Sequence, residues 1–120
     1  MQSLFLALSV GSGSIVAPPG PLTPPTVAPV LSVTTQFGSY TALLEWTASN
    51  KTTSDGFEYL VQVDISNGGW NIVAGGLTSL SYEYTDMGAT GLLYKFRAFA
   101  RNSAGDGPYS NEVSTVLPGE

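Results

Sequence analysis

Nine carboxylates and four cationic side chains make up the charged repertoire of this 120-residue chain, which contains neither His nor Cys. That absence excludes Ser-His-Asp and Cys-His nucleophiles, thiolate or imidazole zinc sites, and His- or Cys-ligated haem. Hydrolysis by paired carboxylates remains as chemistry, and it needs an acid and a base or nucleophile facing each other across a cleft. Glu45, Asp55, Glu58, Asp64, Glu83, Asp86, Asp106, Glu112 and Glu120 are instead spread along the whole chain. Asp55, Asp86 and Asp106 also lack the close oxygen-ligand spacing of a calcium loop. No catalytic residue, metal ligand or cofactor is therefore assigned. The net charge of −5 speaks against phosphate-driven binding of nucleic acid.

Three of the cations, Lys95, Arg97 and Arg101, alternate along one short stretch and form a basic stripe. The stripe suits either an acidic partner or cross-strand pairing with Glu58, Gln62 and Asp64, and pairing is the favoured reading. Leu60 and Phe99 fall on the same faces as these polar residues and suggest a surface patch, with ordinary scattered exposure as the alternative. Trp70 follows a glycine turn, so it is a candidate stacking platform for a sugar, although packing at an edge is favoured. Asn50-Lys51-Thr52 has the form of a glycosylation sequon and is read as a chance match. Asp106 after Gly105 makes no Arg-Gly-Asp adhesion motif.

The elements that would position these residues are strands. Fourteen Gly and eight Pro punctuate a chain that is 42% hydrophobic, a combination that favours short strands and turns over helices. Apolar alternation marks Leu31 and Val33, then Ala42, Leu44 and Trp46, with Trp46 read as core. Tyr59, Val61 and Val63 follow, and Asn67-Gly68-Gly69 predicts a tight hairpin into Trp70–Ala74. Leu80, Tyr82 and Tyr84 form a fifth strand, Tyr94, Phe96, Ala98 and Ala100 a sixth, and Ser110–Val116 a seventh. Pro18, Pro19, Pro21, Pro24, Pro25 and Pro29 mark an extended spacer. Three segments are predicted: an arm over residues 1–17, a proline-rich spacer over 18–28 and a compact domain over 29–118.

From Pro29 to Leu117 the sequence resembles a fibronectin type III domain, an all-β, seven-stranded immunoglobulin-like sandwich. The resemblance is carried by Leu44-x-Trp46, Tyr59-x-Val61-x-Val63, Gly69-Trp70 and the run Tyr94-x-Phe96-x-Ala98-x-Ala100-x-Asn102. That run continues into Ser103-Ala104-Gly105-x-Gly107-Pro108-x-Ser110, the most specific stretch, which looks like versions in bacterial secreted proteins and in phage tail and capsid proteins. The family implies that the Tyr94 hydroxyl folds back onto the preceding loop. Gly88, flanked by Met87 and Ala89, stands where the family usually has Leu, so the corner loop is altered.

The arm is too short and interrupted to span a bilayer, which needs ~20 apolar residues. It also lacks the basic start of a signal peptide. Leu4, Leu6, Leu8 and Val10 alternate with Phe5, Ala7 and Ser9, as in a strand with one aliphatic face. Those four residues are the expected assembly interface, on a copy of this chain or on another protein. The expected function is a non-enzymatic structural and interaction module, a phage virion component of the head or tail present in many copies. A carbohydrate- or receptor-binding adhesin, or a secreted or cell-surface bacterial domain, is the alternative. Loops 49–56, 74–79 and 102–109 would gather at one end, with Asp55, Asp106 and Tyr109 as recognition candidates and weak glycan binding as the expected activity.

Overall fold

A computed structural model describes residues 23–36, 40–52, 56–85, 87–88 and 91–116. All regular elements among them are strands: β1 (Leu31–Gln36), β2 (Thr41–Trp46), β3 (Glu58–Ile65), β4 (Trp70–Leu77), β5 (Ser81–Tyr84), β6 (Leu93–Asn102), β7 (Gly105–Asp106) and β8 (Val113–Val116). They form two antiparallel sheets, one in the order β1-β2-β5 and one in the order β4-β3-β6-β7, with β8 also paired to β6. The eighth element is the two-residue return of a hairpin, so the architecture remains that of a seven-stranded immunoglobulin-like sandwich.

The period-two pattern builds the core directly, since alternate side chains leave a strand on opposite faces. Ala42, Leu44 and Trp46 of one sheet meet Tyr59, Val61, Val63, Phe96, Ala98 and Ala100 of the other in one buried cluster. Tyr84 packs edge-on against Phe96, with centroids 5.2 Å apart. Met87 is fully buried while Gly88 is exposed, so the altered corner loop fills its core position from the residue before Gly88. Tyr94 is buried as the corner requires.

Two boundaries differ from the sequence reading. The hairpin turns on Ser66 and Asn67, both at positive φ, with the Gly68 amide donating to the Ile65 carbonyl at 3.0 Å. The turn thus sits one residue earlier than the Asn-Gly-Gly signal, and Gly69 (φ 114°) forms the return into β4. That strand runs on through Gly75 and Gly76 to Leu77, which shortens the expected 74–79 loop to residues 78–80. Register shifts between β3 and β4 mark a bulge there, and the Glu58 carboxylate holds it by accepting from the Gly76 amide at 2.6 Å. Glu58 lies opposite Arg101 in the ladder and its charge helps raise the Arg101 pKa, but the ion pair within 4.0 Å is the one between Arg101 and Asp106.

Candidate interaction surface

Residues just before β1 are strapped to the sandwich by side chains that imitate a strand. Asn50 Oδ1 accepts from the Thr26 and Val27 amides, both at 2.9 Å, and its Nδ2 donates to Thr26 Oγ1 at 2.8 Å. Thr52 Oγ1 donates to the Thr23 carbonyl, which also accepts from Asn102 Nδ2 at 2.9 Å. Ser49 Oγ donates to the Val27 carbonyl. Further along, Asn111 pairs with both backbone groups of Leu31, accepting at 2.8 Å and donating at 2.9 Å. Pro25 is buried, so residues 23–28 form part of the folded surface although they read as spacer, and Pro29, the first residue of the expected domain, is buried too.

This strap locates the ends of the domain. Thr23 is bonded to Asn102 at the end of β6, whereas Val116 pairs with Leu93 at its beginning. At ~3.3 Å per residue those points are roughly 30 Å apart. The chain therefore reaches the sandwich at the end carrying the 49–56 and 102–109 loops, and the Ser66–Gly69 turn lies at the other. The sequon is also explained: Asn50 and Thr52 spend their side chains on the strap. Replacing Asn50 by Ala removes its three hydrogen bonds to Thr26 and Val27 and should cost ~1–2 kcal/mol. Amide hydrogen exchange at Thr26 and Val27 should accelerate in that variant, and unchanged protection at both would show that Asn50 does not hold the segment.

The basic stripe is occupied by its own sheet. Lys95 lies 3.9 Å from Asp64, and Arg97 Nε donates to Gln62 Oε1 at 2.6 Å, as cross-strand pairing predicts. Arg97 is also stacked between two rings, 4.2 Å from the Trp70 centroid and 3.7 Å from that of Tyr109. Arg101 binds Asp106 at 2.7 Å, and that hydrogen bond raises the guanidinium pKa above its ordinary value. Among the described residues no three carboxylates converge on one point.

One expectation needs correction. Leu60 and Phe99 do not form a surface patch, being only 4% and 1% exposed. Leu60 lies beside Gly75, where a Cβ would meet Leu60 Cδ2 at an ordinary contact distance of 3.5 Å. Phe99 is capped by Tyr109, edge-on at 5.2 Å. Tyr109 and Asp106 contact Arg97 and Arg101 within the chain and are still about half exposed, and Trp70, on the edge strand β4, is half-buried and stacked with Arg97, as edge packing predicts. The remaining candidates, Leu4, Leu6, Leu8, Val10 and Asp55, lie outside the described residues. Asn50 and Asn111 are the structural residues that sequence reasoning missed, because a polar side chain replacing a missing strand partner carries no periodic signal.

Ser49, Lys51 and Phe57 also line a cleft. Phe57 packs edge-on to Tyr59 at 5.3 Å, the Tyr59 hydroxyl accepts from the Ser49 amide at 2.9 Å, and Thr78 and Leu80 form the facing wall. Lys51 Nζ stands 5.5 Å from the Phe57 centroid.

No family model matches the sequence, and no curated protein matches it. Solved structures do. The sixth fibronectin type III domain of human fibronectin type III domain containing protein 3 is similar over 85% of this chain and 92% of its own, at 25% identity and a TM-score of 0.65. An Fn3-like protein from Clostridium thermocellum matches over 77% of this chain and 88% of its own, at 27% identity and TM-score 0.58. Titin domains A168–A170 match at 18% identity and TM-score 0.62 over 78% of this chain, which spans only 32% of that fragment's length.

Proposed function

Because the chain has the fibronectin type III fold, a fold that serves in structural and interaction modules, we propose that it is a non-enzymatic module held in a multi-copy assembly by its N-terminal arm. The assembly is a phage virion, with the domain on the head or the tail. The strap from Thr23 to Val27 carries this reading, because it couples whatever precedes Thr23 to the sandwich through several hydrogen bonds. A free linker would transmit neither position nor orientation. Support for the virion comes from the Gly105-x-Gly107-Pro108-x-Ser110 stretch, which resembles that of phage tail and capsid domains, and from the aliphatic alternation of Leu4, Leu6, Leu8 and Val10.

At ~25 cal/mol per Å2 of apolar surface, burial of those four side chains contributes several kcal/mol to docking. The unpaired backbone of such a strand gains further by joining a sheet edge. An arm-anchored domain would turn its loop end toward the anchor and display the Ser66–Gly69 turn outward. The double variant Leu6→Asp, Leu8→Asp should fold normally yet be missing from purified particles. Incorporation at the wild-type copy number would overturn the arm as anchor.

A further inference from the structure

We propose that the cleft between Ser49, Lys51 and Phe57 on one side and Thr78 and Leu80 of the β4–β5 connection on the other binds a carboxylate carried on an apolar group about the size of one ring. The inference goes beyond the anchoring role and does not depend on it. The cleft holds about 350 Å3, the small end of the range for ligand pockets. Half-buried Phe57 supplies aromatic surface above the buried Tyr59 ring, and Leu80 is 43% exposed at the wall, so an apolar ligand would displace water from a largely apolar lining.

The cation at this site is Lys51, and its situation differs from that of the other three basic residues. Lys95 and Arg101 have carboxylate partners and Arg97 is bonded and stacked, whereas among the described residues no carboxylate lies within 4.0 Å of Lys51. It is instead held over the Phe57 ring, at the cleft. A carboxylate arriving there gains a charge-assisted partner while its apolar body covers Phe57 and Leu80.

The same lining disfavours a neutral sugar. Ser49 Oγ is spent on the Val27 carbonyl and the Tyr59 oxygen accepts from the Ser49 amide, which leaves few groups for a polyol's hydroxyls. Unpaired hydroxyls would lose their water without compensation. The charge and shape together therefore select an apolar acid, present either as a free small molecule or as the carboxyl terminus of a polypeptide ending in an apolar residue.

Titrating the 15N-labelled full chain with 3-phenylpropionate tests this by two-dimensional amide spectra. Saturable shifts are expected at Ser49, Lys51, Phe57 and Thr78, with a Kd on the order of millimolar. The uncharged 3-phenylpropanamide should bind about fivefold more weakly, as expected for loss of one exposed ion pair. Lys51→Gln should erase that difference and leave the spectrum elsewhere unchanged. N-acetyl-glycyl-phenylalanine assigns the source: binding tighter than phenylpropionate supports a polypeptide terminus, and weaker binding supports a free acid. Absence of saturable shifts at these four residues, or equal affinity for acid and amide, would overturn the proposal.

Discussion

Trp46→Ala should lower the unfolding free energy of the full chain by about 3–5 kcal/mol, the range for truncating a buried aromatic to Ala. The ring is 5% exposed and tilted against Tyr59 at a centroid distance of 5.8 Å, between the two sheets. Its indole Nε1 is buried with no acceptor among the described residues. An unpaired buried donor costs about 1–3 kcal/mol. Trp46→Phe removes that donor together with part of the ring, so the two effects oppose and the net change should stay below about 1.5 kcal/mol. Urea unfolding of both variants checks the pair. A loss under about 1 kcal/mol for the Ala variant would place the ring outside the core.

Gly107→Val is expected to destabilise by about 3 kcal/mol, the upper part of the range for overpacking. A Cβ at this position would lie 2.9 Å from both the Pro25 Cβ and the Pro25 carbonyl oxygen, and 3.2 Å from the Ala100 oxygen. Two of these atoms belong to backbone, and the Gly107 amide is itself bonded to the Ala100 oxygen at 2.7 Å. The strap must therefore lift from β6, and amide exchange at Thr26 and Val27 should rise with the loss of stability. Gly88→Ala serves as the contrast, because a Cβ there meets nothing within 4 Å. Equal effects from the two substitutions would show that the close approach of Pro25 is not what Gly107 serves.

The alternating strands were legible because their signal is local. A period of two over five to eight residues needs no knowledge of the partner strand, and it assigned Leu44, Trp46, Val61, Val63 and Phe96 to the core. The pairing of Lys95 with Asp64 and of Arg97 with Gln62 was legible for a related reason. Once two strands are neighbours, outward positions on both must face each other. Glycine turns were legible to within one residue, since Ser66 adopted a positive φ that composition assigns more readily to Asn or Gly.

What lay beyond sequence reasoning depends on residues far apart in the chain. Leu60 and Phe99 alternate as surface positions do, yet one is covered at a bulge beside Gly75 and the other by Tyr109. Asn50 and Asn111 carry no periodicity, and each acts on groups more than twenty residues away: Asn50 accepts from two backbone amides and donates to the Thr26 hydroxyl, while Asn111 both accepts from and donates to the Leu31 backbone. The prolines between 18 and 29 determined that this stretch could not be helical. Whether residues 23–29 stand free or lie along the sandwich was decided by Gly107 and the two side chains of the sequon. The reason is common to all these cases. Local periodicity records which way a side chain points, whereas cover and strapping follow from which distant backbone groups remain unpaired after the sheets have formed.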